Sequence, residues 1–293
     1  MKVMSRIKVW LAAPEAAPFA KTGGLADVAG SLPKALKKLD VDIRVVMPKY
    51  GQIGAEYVSK MEFVGNCQVE LSWRKQYCGV YKLDYDGVTF YFIDNEYYFF
   101  RDSCYGLYDD GERFSFFCRA ILEILPLIGF QPDIIHLNDW QTGMVSVLLD
   151  ADYRLRKGGF YKNMHTLFTI HNLKYQGVFS KNMMNEILGL DWKYFNGVEY
   201  GDQINFLKSG LSYSAALSTV SPTYAEEIKL DFYGENLQDI IRHRANDLYG
   251  IVNGIDYERN NPQTDPGIYD HYSMRDLSGK YENKRKLQEY LGL

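Results

Sequence analysis

The chain reads as an α/β protein built on a doubly wound, mostly parallel Rossmann-like sheet with a β-hairpin insertion. Two observations predict this. Short apolar runs of strand character alternate with segments of 3.6-residue apolar periodicity as far as about residue 262. A glycine-bearing loop also joins the first apolar run to the first helical segment, which is how a βαβ unit begins.

In order, IKVWLA (residues 7–12) is a buried-strand candidate. Leu25, Val28, Ala29, Leu32, Leu36 and Leu39 follow at three- and four-residue spacing and so share one helical face. Gly30 and Pro33 interrupt that pattern. Pro33 cannot donate to the Ala29 carbonyl, which predicts a kink or a restart capped by Ser31. Residues 41–47 form the next strand, and residues 69–73 add a further candidate. YCGVYKLDY and VTFYFID flank Asp86-Gly87, a strong short-range hairpin signal. The ring-dense stretch that follows, residues 95–102, is either a packed cover or part of a sugar cleft.

Alternation then returns. Helices are expected over 114–127, 142–155, 204–213, 223–230 and 237–244, and strands over 132–137, 165–170, 215–220 and 249–252. Residues 1–262 are read as one amino-terminal domain. Residues 263–293, opened by Pro262, Pro266 and Gly267, contain no strand and one short helix at 283–291. They read as a segment crossing towards a further domain.

Composition narrows the function classes. Thirty-three basic against 37 acidic residues give a net charge of −4 without any block of one sign, so neither nucleic acid nor membrane is implied as a partner. The 46% apolar content is that of an ordinary globular protein. Cys67, Cys78, Cys104 and Cys118 form no CxxC pair and have no histidine at metal-ligand spacing, which predicts reduced thiols, no metal and a cytoplasmic protein. The amino terminus has basic residues ahead of an apolar stretch of only about five residues before Pro14, too short for a signal core.

Ligands of doubly wound sheets bind at the carboxyl ends of the strands. The first of these ends is Lys21-Thr22-Gly23-Gly24, where backbone N–H groups, a helix start and a cation suit a phosphate. It is neither a P-loop nor a dinucleotide fingerprint. The others are HLNDWQTG (136–143), HNLKYQG (171–177), SPTY (221–224) and NGID (253–256). Such Asp, His, Asn and Trp residues can hold a polyhydroxy ligand, and two readings stay open for most of them. Asp139 and Thr142 also suit helix capping, and His171 and Asn172 suit a turn. His136 reads as a core histidine held by hydrogen bonds. Ser221, followed by Pro222, reads as a helix cap, and no GxSxG elbow or HExxH occurs.

KTGGLADV, HLNDWQTG, TIHNLKYQG, NFLKSGL, SPTYAEEI and IVNGID stand in the order and at roughly the spacing seen in bacterial glycogen synthases and plant starch synthases, which this chain resembles over almost its whole length. The resemblance implies one half of a GT-B fold. It also implies a retaining transfer of glucose from ADP-glucose to the non-reducing end of an α-1,4-glucan, with no cofactor beyond that donor. By the same matching, Lys21, Gly23 and Gly24 fall near the diphosphate and acceptor. Asp27, His171, Asn172 and Asn253 fall at the donor glucose, and Asp139 and Trp140 at the reacting centre, with Asp139, His171 and Lys21 as the catalytic set. Family members continue into a second Rossmann-like domain, so the resemblance implies an amino-terminal, acceptor-side half with doubtful activity alone. A non-catalytic glucan-binding module and another GT-B transferase are the alternatives.

Overall fold

The computed structural model describes residues 6–156 and 158–293. Two compact units make up the chain, Met1–Val252 and Asn253–Leu293.

In chain order the first unit runs β1 (Lys8–Ala12), α1 (Gly24–Lys37), β2 (Asp42–Pro48), α2 (Ala55–Val58), β3 (Glu62–Leu71), β4 (Arg74–Tyr85), β5 (Val88–Asp94), α3 (Glu96–Phe99), α4 (Asp110–Leu127), β6 (Ile134–Asn138), α5 (Trp140–Leu148), α6 (Arg154–Arg156) and β7 (His165–Ile170). It continues with β8 (Val178–Ser180), α7 (Met183–Glu186), β9 (Glu199–Tyr200), β10 (Gln203–Asn205), α8 (Phe206–Tyr213), β11 (Ala216–Thr219), α9 (Pro222–Glu227), α10 (Gln238–His243) and β12 (Leu248–Gly250).

Nine strands form the main sheet in the order β12-β11-β7-β6-β1-β2-β5-β4-β3. Pairing is parallel from β12 through β5, and the β3–β4 hairpin adds two antiparallel strands at one edge. The chain builds outward from β1 in one direction through β2 and β5, then in the other through β6, β7, β11 and β12. The order therefore reverses between β1 and β6, and in an open α/β sheet a crevice opens at the carboxyl ends of the two strands where that happens.

Within a largely aliphatic core, aromatic rings form clusters. Trp10 of β1 is fully buried, donates its indole N–H to the Ile121 carbonyl at 3.1 Å and packs edge-on to Tyr91. Phe19 sits among Tyr57, Tyr85, Phe90 and Phe92 in edge-to-face contacts. Such pairs add about 0.5–1.5 kcal/mol each beyond burial.

Several sequence expectations change. Helix α1 runs unbroken through Pro33, because its buried face, Leu25, Ala26, Ala29, Gly30 and Pro33, is held by packing and overrides the local breaker. Gly30 belongs to that contact, since a Cβ there would lie 2.4 Å from the Ala17 carbonyl oxygen. Strand β3 is ten residues long and stops at Leu71, so Trp73 lies in the turn rather than in a strand. Helix α5 starts at Trp140 instead of Thr142 and passes into a π-helical turn at Leu149–Tyr153. The small sheet β8-β10-β9 was not expected, and it takes Ile204 and Asn205 from the expected helix. The Asp86-Gly87 turn is as expected, with both residues at positive φ, 48° and 73°, between paired Tyr85 and Val88.

The second unit holds one helix, α11 (Ser278–Leu291), capped by Gly292 at φ 71°. Asn283 ties this helix to its own preceding loop by accepting the Tyr269 N–H at 2.7 Å and donating to Asp270 and Gly279 carbonyls. This anchoring begins the helix five residues earlier than its apolar pattern suggests.

Candidate functional site

The site is built from the ends of β1, β6 and β7, three adjacent strands. Beyond β1 the chain turns through Glu15, whose side chain is buried at 2% exposure. Its carboxylate accepts the backbone N–H of Thr22 at 2.6 Å and of Gly23 at 3.2 Å, together with the Tyr105 hydroxyl at 2.7 Å. Tyr105 also meets the Thr22 hydroxyl at 2.7 Å. The sequence leaves the N–H groups of the KTGG loop open to an anion, whereas in the fold two of them point at an internal carboxylate that fixes the loop's shape. The Lys21 ammonium contacts both oxygens of Asp27, at 2.8 and 2.7 Å, on the exposed side of the loop.

Neither Gly23 nor Gly24 is demanded by the fold. Gly23 is extended at φ −155°. A Cβ on Gly23 would meet only a Glu15 oxygen, at 3.9 Å, and one on Gly24 would meet nothing within 4 Å. Both glycines face open space at a helix start.

Asp139 occupies the N-cap position of α5, yet its side chain makes no cap bond. At φ 56° it lies in the left-handed region, where Asp is tolerated at a cost. Its carboxylate instead turns across the sheet to accept the His171 N–H at 2.7 Å. Thr142 bonds the Asn138 and Asp139 carbonyls through its hydroxyl, so it serves the helix start. Burial pushes the Asp139 carboxyl up to about 7; the N–H groups of His171 and Asn172 pull against this, and Glu15 adds a push upward.

The His171 imidazole meets Asn138 Oδ1 through Nε2 at 2.9 Å. Asn138 is oriented by donating its Nδ2 to the Ala12 carbonyl at 3.0 Å. Its oxygen must therefore accept from His171, which puts the imidazole proton on Nε2 and leaves the Nδ1 lone pair available. Burial lowers His171 to about 4, so the ring is neutral at pH 7. His136 is the hydrogen-bonded core histidine expected. Its Nε2 meets Thr169 Oγ1 at 2.7 Å, which in turn meets Ser218 Oγ at 2.7 Å. Burial first, and then His171, lowers it to about 4.

The remaining candidates divide. Asn172 is exposed, and its side-chain oxygen closes a turn by accepting the Lys174 N–H at 3.1 Å. Trp140 is buried, its indole packed against Phe114, Phe179 and Phe206. Gly177 lies so close to that indole that a Cβ would be 2.3 Å from it. Trp140 thus supports the rim from beneath. Asn253 belongs to the second unit and is exposed. Ser221 caps α9, accepting the Tyr224 N–H at 2.9 Å. In the aromatic stretch at 95–102, Tyr98 and Phe99 are core while Tyr97 and Phe100 are exposed, so it is both cover and open surface.

Sequence reasoning did not assign Glu15, Asn138 or Tyr105. Glu15 and Asn138 carried a usable signal, since both are polar residues at the carboxyl ends of apolar strands. Tyr105 reaches the site from 90 residues along the chain from Glu15, and nothing local marks it.

Comparison with known proteins adds an independent line. The starch synthase catalytic domain model matches residues 8–243. The glycogen synthases of Geobacillus thermodenitrificans and Geobacillus stearothermophilus are each 52% identical over 98% of this chain. A structure of the catalytic domain of starch synthase IV from Arabidopsis thaliana, bound to ADP and acarbose, matches at a TM-score of 0.88 and 34% identity, covering 98% of this chain and 59% of that one. The chain spans 59% of the length of each Geobacillus relative as well. With the family model matched over residues 8–243, most of its length, this chain belongs to the starch synthase catalytic domain family.

Proposed function

We propose that this chain forms the acceptor-side wall of a glycogen (starch) synthase, which transfers glucose from ADP-glucose to the non-reducing end of an α-1,4-glucan with retention. The observation that carries this is the convergence, where the strand order reverses, of a glycine loop facing open space, a neutral imidazole with a free Nδ1, and a carboxyl poised near pH 7. A polyhydroxy donor with a charged leaving group needs those three things.

Lys21 opposes the negative charge that grows on the leaving diphosphate, exchanging its Asp27 partner for phosphate as it does so. The Gly24 N–H at the start of α1 faces the same charge. Neutral His171 accepts a sugar hydroxyl at Nδ1 without placing a second cation beside an oxocarbenium-like centre. Asp139 holds the His171 backbone and offers its other oxygen to the donor sugar. Asp27, Asn172 and Trp140 complete the pocket, Trp140 by supporting it. A cytoplasmic location fits four cysteines that form no disulfide.

The test joins this chain to the carboxyl-terminal domain of the Geobacillus stearothermophilus glycogen synthase and supplies maltooligosaccharide with ADP-glucose or UDP-glucose. Elongation with ADP-glucose that neither part gives alone supports the proposal. Glucan binding without elongation assigns the chain to a binding module, and transfer to a different acceptor class assigns it to another GT-B enzyme.

A further inference from the structure

Two of the four cysteines face each other. In the β3–β4 hairpin Cys67 and Cys78 are direct cross-strand partners, in a run of unshifted register from Asn66↔Gly79 to Leu71↔Arg74. Directly opposed residues of an antiparallel pair project to the same face, with Cα atoms about 4.5–5.5 Å apart. A disulfide needs about 4.4–6.8 Å. The two side chains are also hydrogen-bonded to each other. Cys78 is buried on β4 and Cys67 is half-buried on the edge strand β3, so Cys67 is the more open of the two to solvent. The remaining cysteines have no such arrangement. Cys104 and Cys118 are buried, with their sulfurs turned to Gln52 Oε1 at 3.6 Å and to the Gln141 carbonyl at 3.2 Å.

We propose that Cys67 and Cys78 are a reversible thiol–disulfide site that reacts with hydroperoxides. The Cys67 thiolate attacks one peroxide oxygen; an S–O bond forms, the O–O bond breaks, and the departing hydroxide takes up a proton as water. Cys78 then attacks the Cys67 sulfur. The S–S bond forms, the S–O bond breaks, and the second hydroxide leaves with the Cys78 proton. Two thiols and one hydrogen peroxide thus give one disulfide and two waters. The hydrogen bond with the Cys67 sulfur first, and then burial, raise the Cys78 thiol, which fits the second role, since it holds its proton until Cys67 is oxidised. The bond would clip the sheet edge together across the hairpin that carries Trp73, with no strand needing to move.

The folded chain treated with hydrogen peroxide, then alkylated, digested and mapped by mass spectrometry, decides the matter. The expected result is a drop from four alkylatable thiols to two, a Cys67–Cys78 linked peptide, and full recovery of four thiols with dithiothreitol. Cys67→Ser, at a half-buried position, should keep all three remaining thiols under the same treatment, while Cys104→Ser should still form the link. Oxidation of Cys67 to sulfinic acid with Cys78 still alkylatable, or a link through Cys104 or Cys118, overturns the proposal.

Discussion

The carboxylate of Asp139 accepts the backbone N–H of His171 at 2.7 Å, which ties the end of β6 to the end of β7. This bond separates two roles that the sequence leaves open. An aspartate at the start of a helix usually caps that helix. This one turns away from it, and positive φ at Asp139 is the conformation that allows the turn.

Asp139→Asn is therefore expected to fold normally, because the amide oxygen can still accept the His171 N–H, and to lose nearly all glucosyl transfer in the assembled enzyme. Circular dichroism and elongation assays on the same preparation check this. Full activity at unchanged stability would return Asp139 to a positional role.

The same substitution carries a pH signature. Asp139, raised to about 7, binds its proton more tightly folded than unfolded, so its stabilisation is present at acid pH and is lost as pH rises from the ordinary carboxylate range towards 7. His136 and His171, lowered to about 4, act in the opposite sense, and their stabilisation is lost as pH falls from 6.5 towards 4. Two histidines outweigh one carboxyl, so stability from these groups should fall on acidification below 6.5. Removing the opposing carboxyl should steepen that fall. Thermal unfolding of wild type and Asp139→Asn between pH 7 and 5 reads the difference, and parallel profiles would contradict it.

Glu15→Ala should free the KTGG loop. The change leaves the Thr22 and Gly23 N–H groups and the Tyr105 hydroxyl without their acceptor, a cost of about 1–3 kcal/mol for each one that stays buried. Faster amide exchange at Thr22 and Gly23 is the expected readout, with Tyr105→Phe giving a smaller effect of the same kind. Unchanged exchange in both variants would show that the loop is shaped by something else.

On the proposed role of Lys21, opposing charge that develops in the transition state, Lys21→Ala in the assembled enzyme should lower turnover on the order of 10²–10³-fold while leaving glucan affinity nearly unchanged. Turnover within about twofold of wild type would remove Lys21 from the reaction.

The glycines give a matched pair. Gly23→Ala meets open space, so thermal stability should hold while ADP-glucose affinity falls. Gly30→Ala drives a Cβ to 2.4 Å from the Ala17 carbonyl oxygen and should cost about 1–3 kcal/mol in stability. Equal stability losses in the two variants would mean that Gly23, too, is a packing glycine.

Much of the fold was legible because its signals are local. Apolar runs placed β1, β2, β6 and β7, and Asp86-Gly87 fixed the β4–β5 turn through its need for positive φ. The β8-β10-β9 sheet escaped because strands of two and three residues are too short to display a period. The unbroken helix through Pro33 escaped because burial of that face is a tertiary effect. At the site, strand-end logic reached Lys21, Asp139 and His171, residues whose position along the chain predicts their place on the rim. It missed how they are held, because the bonds from Glu15 to Tyr105, from Asn138 to Ala12 and from Asp139 to His171 join segments that only the folded sheet brings together.

The central claim is that the carboxyl ends of β1, β6 and β7 hold the donor. Residue-resolved amide exchange on the assembled enzyme, with and without ADP and maltooligosaccharide, tests it most directly. The account predicts new protection at Gly24 and a further slowing at His171 and Asn172, whose N–H groups Asp139 already holds, with no change at the opposite ends of the same strands, Lys8, Ile134 and His165. Protection confined to those opposite ends, or none at Gly24, His171 and Asn172 under saturating ligand, would contradict it.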